Sequence, residues 1–402
     1  MSPATRRILW SAAGLVAVLI VVGFAVVPGL VARGMNRTLD GAVGPIGDEA
    51  LRIQGTLSVV DLHADALLWN RDLLKRGSWG HVDVPRLIEG SVAVQVFTVV
   101  TKTPRGMNIE ANAGDSDNIT LLSILERWPP RTWTSVAERA VYQAYKLQAY
   151  AANSHGRLAI LRTRDDLAGY LAMHAQEPGT VAGLLGIEGA HALEGDVANL
   201  DRFFDAGFRL MGLTHFFDNQ VGGSAHGVTK GGLTDFGRTV VGRMERLGML
   251  VDLAHASPQL IDDVLAAATR PVVVSHTGVK GTCDNTRNLD DARLAAISAT
   301  GGVIGIGLWE TAVCGTKPAD WARAVRHAVE VAGVEHVGLG SDWDGAVSTM
   351  IDASQTVHLT QALVDEGFGE EEIRMIMGGN ALRVLAQVLP EAEPFGRRHS
   401  AD

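Results

Sequence analysis

The stretch Val59-Val60-Asp61-Leu62-His63-Ala64-Asp65 decides the fold, because an apolar run ends in two residues that can bind a metal ion. Five later apolar runs end in the same manner, each in a single histidine or carboxylate. A barrel of parallel strands builds its active site in this way, with functional residues at the C-terminal ends of its strands. The five later runs end at Glu188, His215, His255, His276 and Asp342.

Strand-like runs alternate with amphipathic helical stretches beyond residue 57, a pattern typical of a parallel sheet. The predicted fold class is therefore α/β, a (β/α)8 TIM barrel with insertions. The largest insertion, at about residues 100–181, is expected to hold extra helices rather than a separate domain. An open doubly wound sheet is the alternative, but it would bind its ligand at one crevice, using few strands. The eight predicted strands cover residues 57–62, 92–99, 182–187, 208–214, 248–254, 271–275, 302–308 and 336–341.

Helix starts between these strands have recognisable capping signals. Ser135 opens a capping box with Glu138, and the predicted helix runs to about Ser154. Ser257 is a predicted N-cap, followed by Pro258 at the first helical position. Further helices are predicted at residues 235–247, 291–299 and 318–332.

The composition excludes one class of partner. The chain has 402 residues, 47% of them apolar, and a formal net charge of −10. Nucleic-acid binding needs a basic face, so no nucleic-acid partner is expected.

The N-terminal segment differs from the rest of the chain. Residues 8–32 contain no charged side chain and are rich in Leu, Val and Ala. A helix of that length can cross the roughly 30 Å hydrocarbon core of a bilayer. Residues 1–37 are therefore predicted to be a transmembrane signal anchor, with a cleaved signal peptide as the alternative, and residues 38–402 to form the barrel. The catalytic domain is expected to face an extracytoplasmic space, the periplasm in a bacterium.

The side chains that end the strands suit two divalent ions. His63 and Asp65 are two apart, so on a strand they share a face. Glu188 follows an apolar run, where an unpaired carboxylate would be costly to bury, and it could bridge two ions or pair with an internal arginine. Single histidines such as His255 and His276 are often hydrogen-bonded core residues, but together the five residues predict two zinc ions that share one activated water.

Three further residues are candidates for binding substrate and for catalysis. His215 is a possible sixth ligand or a donor to an oxyanion on the substrate. Asp342 is suited to pass a proton to a leaving amine, and Arg287 to clamp a carboxylate. Asp344 is interpreted as a turn cap, and histidines in helical stretches, such as His174, as surface residues. Cys283 and Cys314 either pair or stay free thiols, and their spacing favours neither.

Taken together, these motifs resemble the membrane dipeptidase (renal dipeptidase) family of zinc metallopeptidases in the amidohydrolase superfamily. The similarity extends over about residues 55–390, in the family's order and close to its spacing. The segments that carry it are Asp61–Asp65, Gly186–His191, Leu213–His215, Asp252–Ser257, Ser275–Thr277, Arg287–Asn288, Gly340–Gly345 and Gly378–Val384.

The resemblance implies a role for each site residue. His63 and Asp65 would hold one zinc ion, His255 and His276 a second, and Glu188 would bridge the two. Asp342 would move the proton during attack by a metal-bridging hydroxide. His215 and Arg287 would contact a dipeptide substrate, with Arg287 on its C-terminal carboxylate. The resemblance also implies a Cys283–Cys314 disulfide and a homodimer.

Other functions remain open at this point. The chain could be another amide or β-lactam hydrolase of the superfamily, or a catalytically inactive, membrane-tethered binding module. A lactonase would carry a modified lysine where this chain has His215. A mononuclear deaminase would have two histidines after the first strand, where this chain has His63 and Asp65.

Overall fold

A computed structural model describes residues 2–39, 41 and 43–391, apart from the side chains at 16–21 and 25. The helices are α1 Pro3–Met35, α2 Asp48–Gln54, α3 Val84–Glu89, α4 Asn118–Leu125, α5 Val136–Asn153, α6 Arg164–His174, α7 Ala198–Asp205, α8 Asp235–Leu247, α9 Pro258–Ala267, α10 Asp291–Ala299, α11 Glu310–Val313, α12 Pro318–Ala332, α13 Val357–Asp365, α14 Glu370–Arg374 and α15 Asn380–Val388. The strands are β1 Arg37–Thr38, β2 Val59–Ala64, β3 Val92–Val100, β4 Leu158–Ile160, β5 Val181–Glu188, β6 Phe208–Gly212, β7 Leu250–Asp252, β8 Val273–Thr277, β9 Val303–Ile306, β10 Val337–Leu339 and β11 Ser348–Thr349.

Eight parallel strands close into a barrel, as the alternating pattern predicts. The order runs β3-β2-β10-β9-β8-β7-β6-β5, and pairing of β3 with β5 closes the ring. Every site residue that follows a strand therefore lies at the same end of the barrel. The TIM-barrel prediction is confirmed.

The barrel strands are buried on both faces, because helices cover the outside. One large cluster packs residues such as Phe97 and Ile187 against Trp321 and Leu200 of the surrounding helices. A second joins strand residues such as Val96 and Leu184 to α15 and α6.

Caps and prolines place the helix starts where the sequence predicts them. The Ser135 hydroxyl accepts from the Glu138 amide and the Ser257 hydroxyl from the Leu260 amide. Helices α8, α10 and α12 have the predicted bounds. The insertion holds helices, as expected, but also β4, which pairs with β5 beside the ring.

The N-terminal segment forms the helix α1, but the prediction that it spans a membrane is not confirmed. Within the part of the chain that the structure describes, no helix combines the length and the apolarity needed to cross a bilayer. Part of the predicted span, the side chains at 16–21 and 25, lies outside that part. The C-terminal end of α1 packs on the barrel domain instead, because Ala32 is buried in a cluster with Trp69, Val100 and Ile119.

The end of α1 is attached to the loop after the last barrel strand. Asn36 donates to the Ala32 carbonyl at 2.9 Å, and its Oδ1 accepts from the Ala346 amide at 2.9 Å. Strand β1 then pairs in parallel with β11. The helix end is thereby held above the C-terminal rim of the barrel.

Candidate metal centre and active site

The carboxylate of Glu188 lies at the centre of a buried histidine cluster. Its Oε1 is 3.0 Å from Nε2 of His255, 3.5 Å from Nε2 of His63 and 3.6 Å from Nε2 of His276. Its Oε2 is 3.2 Å from Nε2 of His215. Four strand ends thus direct imidazole nitrogens at one carboxylate, which is the arrangement expected of a bridging ligand.

His63 and Asp65 approach the cluster together, as their spacing predicts. Nε2 of His63 is 3.5 Å from Oδ2 of Asp65. Asp65 accepts a hydrogen bond from the Thr98 hydroxyl at 2.7 Å, which fixes its carboxylate. The Ser275 hydroxyl lies 3.2 Å from Nδ1 of His63 and 2.9 Å from Nδ1 of His276. A partner at Nδ1 leaves Nε2 of both rings free to bind a metal.

The electrostatics of the cluster favour a bound cation. Burial raises the pKa of Glu188 well above its usual range, and the nearby carboxylate of Asp65 raises it further. Burial lowers the pKa of His63, but the charges of Asp65 and Glu188 outweigh this effect and raise it to about 10. Burial lowers the pKa values of His255 and His276 well below the usual range, which keeps both imidazoles neutral. Metal ions bind deprotonated imidazoles and carboxylates, so a bound cation would replace the protons that His63 and Glu188 otherwise hold at neutral pH.

The residues present fit a two-ion site. Nε2 of His255 and Nε2 of His276 face each other at 2.9 Å, and Nε2 of His63 is buried without a hydrogen-bond partner. Among the residues that the structure describes, three groups of ligand atoms are close enough to hold an ion, and Glu188 belongs to two of them. The groups are His63–Glu188–His276, Glu188–His215–His255 and His63–Asp65–Asp342. His215 and Asp342 thus lie as close to the centre as the predicted ligands.

Asp342 is held beside the cluster by a strained and well-anchored loop. Its φ is 61°, a left-handed conformation that costs energy outside glycine. Burial raises the pKa of Asp342 to about 7, an effect that the charge of His63 partly opposes. The preceding Ser341 donates from its amide and hydroxyl to Asp61, at 2.7 and 2.8 Å. A carboxyl group with a pKa near neutrality suits general acid–base catalysis.

Asp344 does more than cap a turn, which corrects the sequence interpretation. Its carboxylate is fully buried, pairs with Arg71 and accepts from the amides of His81 and Val82 at 2.8 and 3.1 Å. The Trp69 indole donates to its carbonyl at 2.7 Å. Asp344 therefore joins the loop after β2 to the loop that carries Asp342.

Arg287 lies against the floor of the site. Its guanidinium donates to the His276 carbonyl at 2.6 Å and lies 5.7 Å from the Trp309 ring centre. Burial lowers its pKa to about 10, so the group remains charged at neutral pH. Asn288 donates to the carbonyls of Cys283 and Ala312, and Cys283 is bonded to Cys314. The disulfide implied by the resemblance is confirmed.

Two residues that the sequence did not indicate, His226 and Phe216, line the cavity above the metal centre. The two rings stack at 4.7 Å, and the His226 ring is 5.2 Å from that of His255. Burial lowers the pKa of His226 to about 4. His226 lies in a loop without a preceding apolar run. The pattern of an apolar run that ends in a functional residue, here called the strand-end rule, therefore could not predict it.

Two other histidines have structural partners. His191, three residues after Glu188, lies 2.9 Å from the Thr101 hydroxyl and packs on Phe217. His174, interpreted as a surface residue, is buried instead, with Nδ1 3.1 Å from the Tyr170 hydroxyl. The reason is that α6 turns this face towards the barrel, a contact that its weak sequence periodicity does not indicate.

A cavity of about 500 Å³ opens above these residues. The predicted site residues on its wall are Asp65, Glu188, His215, His255, Arg287 and Asp342. Its upper walls are apolar and come from α1, α4 and neighbouring loops. The volume falls in the range of sites for small organic ligands.

Comparison with known proteins identifies similar sequences. The profile of the family described as "Membrane dipeptidase (Peptidase family M19)" matches residues 47–395. The chain is 34% identical over 221 residues to Dipeptidase aclJ of Aspergillus oryzae, covering 52% of each protein. It is also 34% identical over 221 residues to Dipeptidase 3 of Rattus norvegicus, covering 52% of this chain and 45% of that protein. The match thus spans about half the length of these relatives.

Solved structures share the fold. A metallopeptidase from Rhodobacter sphaeroides, liganded with a phosphinate mimic of the dipeptide L-Ala-D-Ala, is 26% identical with a TM-score of 0.67. A dipeptidase of the same M19 family is 25% identical, also with a TM-score of 0.67. Each similarity covers 83% of this chain and 99% of the other.

Proposed function

Because the chain belongs to the membrane dipeptidase family, peptidase family M19, we propose that it is a zinc-dependent dipeptidase. The substrate would be a dipeptide, bound in the cavity above the barrel. Two zinc ions per subunit would be held by His63, Asp65, Glu188, His255 and His276.

One observation carries the proposal: Glu188 lies between the Nε2 atoms of four histidines, at 3.0 to 3.6 Å. A buried carboxylate shared among imidazole nitrogens is the ligand chemistry that zinc prefers. A catalytically inactive binding module would not need to keep Asp342 in a strained conformation beside such a cluster.

The residues around the cluster have separate tasks in hydrolysis. Two bound ions would polarise the scissile carbonyl and lower the pKa of the attacking water. Asp342 would take a proton from that water and pass it to the nitrogen of the leaving amino acid as the C–N bond breaks. His215 would donate to the oxygen that becomes negative after the attack.

Arg287 would select substrates by their C-terminal carboxylate. The guanidinium keeps its charge at neutral pH and lines the cavity. Loss of a hydrogen bond to a charged group costs about 1.5–3 kcal/mol. Arg287→Ala should therefore raise KM for Ala-Ala by about 10- to 100-fold, with a smaller change for Ala-Ala amide. An equal change for both substrates would contradict the clamp.

The test of the main proposal is hydrolysis of Ala-Ala by the purified full chain, with zinc measured by elemental analysis. We expect two zinc ions per chain, loss of hydrolysis after chelation and recovery on adding zinc. Glu188→Gln should bind less zinc and lose turnover, whereas His327→Gln, far from the cluster, should do neither. A chelated chain that still hydrolyses Ala-Ala at the original rate would refute the proposal.

We also propose that α1 associates the protein with a membrane, with the catalytic barrel outside the cytoplasm. Most of the large apolar side chains that are exposed in the described part of the chain lie on this helix, including Trp10, Leu15 and Leu30. Exposed apolar surface of this kind marks a binding surface. Cell fractionation of the full chain and of a chain lacking residues 1–26 tests this, and both in the soluble fraction would contradict it. The homodimer stays a prediction, to be tested by light scattering.

A further inference from the structure

The cavity above the metal centre has two chemically different halves. Within the described residues, its charged lining side chains are all on the floor: Asp65, Glu188, Arg287 and Asp342. The upper half is apolar and is formed by two helices that approach each other, α1 and α4.

The apolar half remains open to solvent. Val31 is 45% exposed, Met35 42% and Leu121 59%, although all three line the cavity. Apolar side chains that flank an opening, and that no element of the described residues covers, are typical of a ligand groove. We call this groove, between α1 and α4, the apolar vestibule.

The vestibule is a built feature, because the end of α1 is fixed to the barrel rim. Ala32 is buried against Trp69 and Ile119. Asn36 joins the helix end to Ala346, in the loop that follows Asp342. The vestibule and the floor are therefore fixed parts of one cavity.

Resting on the proposed function, we infer that the preferred substrates are amphiphilic dipeptides, in which one residue carries a long apolar side chain. The free carboxylate would bind at Arg287 and the scissile bond would lie over Glu188. The apolar chain would then extend upward between α1 and α4. The continuity of the groove with the charged floor favours a substrate over a separate lipid, since only a substrate links an apolar chain to a carboxylate.

The experiment uses a homologous series of dipeptides. In Xaa-Ala and Ala-Xaa, Xaa is alanine, norvaline, norleucine or 2-aminooctanoate. Burial of one methylene group contributes about 0.8 kcal/mol. In at least one series, kcat/KM should therefore rise by about two- to fourfold for each methylene group. The full chain should be held in lipid nanodiscs, because a detergent tail would compete for the vestibule.

Charges placed on the vestibule wall provide the decisive comparison. Val31→Asp and Leu121→Asp should each lower kcat/KM for the longest substrate by about tenfold or more, with little change for Ala-Ala. Leu51→Asp is the matched control, because Leu51 of α2 is 54% exposed and does not line the cavity. It should keep the wild-type dependence on chain length.

The outcomes separate this inference from the proposed function. Equal kcat/KM across both series, or an unchanged length dependence in Val31→Asp and Leu121→Asp, overturns the inference and leaves dipeptidase activity standing. If no dipeptide is hydrolysed, the proposed function fails. Binding of the same series, measured by isothermal titration calorimetry, then decides the inference. An affinity that is independent of chain length would overturn the inference. Inhibition by decanoate, without any preference among the dipeptides, would also overturn it and would assign the vestibule to a lipid.

Discussion

Two site residues combine a function with an unfavourable backbone conformation. His255 and Asp342 both have a φ of 61°, although neither is glycine. Each follows a short strand, and each side chain belongs to a group of ligand atoms that could hold a metal ion. Strain of this kind is retained where a side chain must be directed at a reacting group.

Asp342→Asn should abolish most turnover and leave zinc binding intact. Asparagine has the same shape as aspartate but cannot accept the proton from water. Loss of a general acid–base group lowers kcat by about 10²–10⁴-fold. Initial rates with Ala-Ala and elemental analysis of zinc test this together. Retention of more than a tenth of wild-type kcat would remove Asp342 from the proton pathway.

The neighbouring Asp344 provides the control, because it is buried and touches no part of the metal cluster in the described contacts. Asp344→Asn leaves Arg71, whose side chain is only 9% exposed, without its charged partner. Breaking a buried ion pair costs roughly 3–5 kcal/mol. This variant should therefore lower the free energy of unfolding, which Asp342→Asn should not.

Lys146 should make stability depend on pH in the alkaline range. Burial lowers its pKa to about 8, partly opposed by Glu126, whereas the unfolded chain has the ordinary value of about 10.4. The unfolded state thus binds more protons between these values, so this group raises the free energy of unfolding as pH rises from about 8 to 10.

The measurement is urea unfolding of the wild type and of Lys146→Met at pH 7.5 and pH 10. The difference between the two proteins should shift in favour of the wild type by roughly 1–2 kcal/mol at the higher pH. A difference that is constant with pH would mean that Lys146 keeps its ordinary pKa in the folded chain.

The strand-end rule predicts most of the site residues because each of them directly follows an apolar run in the sequence. Glu188 and His276 each follow an apolar run and each reach the cluster. His226 obeys no such rule, since its position depends on a loop whose path is determined by contacts such as the one with the Ile109 carbonyl at 2.7 Å. Local sequence contains no information about contacts between residues so far apart in the chain.

At the scale of elements, caps and periodicity were sufficient for five helices, which are α5, α8, α9, α10 and α12. They were insufficient for β4, which has three residues and exists because it pairs with β5. They were also insufficient for the end of α1. An uncharged apolar run predicts a membrane helix, but Asn36 and Ala32 dock its end on the barrel through partners near residues 69 and 346.

The Cys283–Cys314 disulfide should stabilise both the fold and the substrate site. It closes a loop with a sequence separation of 31 that contains Arg287 and Trp309. A loop of this length contributes roughly 3–4 kcal/mol in the chain-entropy account. The double variant Cys283→Ser, Cys314→Ser should therefore unfold at a lower temperature by several degrees and show a raised KM for Ala-Ala.

Reductant supplies the control for this prediction. Tris(2-carboxyethyl)phosphine, which reduces disulfides without offering zinc a thiolate, should reproduce both effects in the wild type and change nothing in the double variant. Equal melting temperatures of the two proteins under oxidising conditions would show that the bridge does not stabilise the folded state.

At the scale of the whole molecule, the closed ring is what assembles the site. His63, Glu188 and His276 lie on β2, β5 and β8, and they approach one another only because β3 pairs with β5. Alternating strands and helices predict such closure, and the ligands at the strand ends indicate which end is functional. The apolar vestibule could not be predicted in this way, because it forms between an N-terminal helix and an insertion.

Metal binding should in consequence stabilise the whole fold. Folding brings Asp65, Glu188 and Asp342 together in a buried cluster, where a cation relieves their mutual repulsion, and unfolding separates them. A ligand that binds only the folded state adds about 2.7 kcal/mol at a concentration 100 times its Kd. Zinc added to the chelated wild type should therefore raise its melting temperature in scanning calorimetry. Both cysteines are paired, so the unfolded chain offers zinc no thiolate that would offset the effect. Glu188→Gln should lose most of this increase in melting temperature, and Asp342→Asn should keep it. An increase in Glu188→Gln equal to that of the wild type would mean that zinc binds elsewhere on the protein.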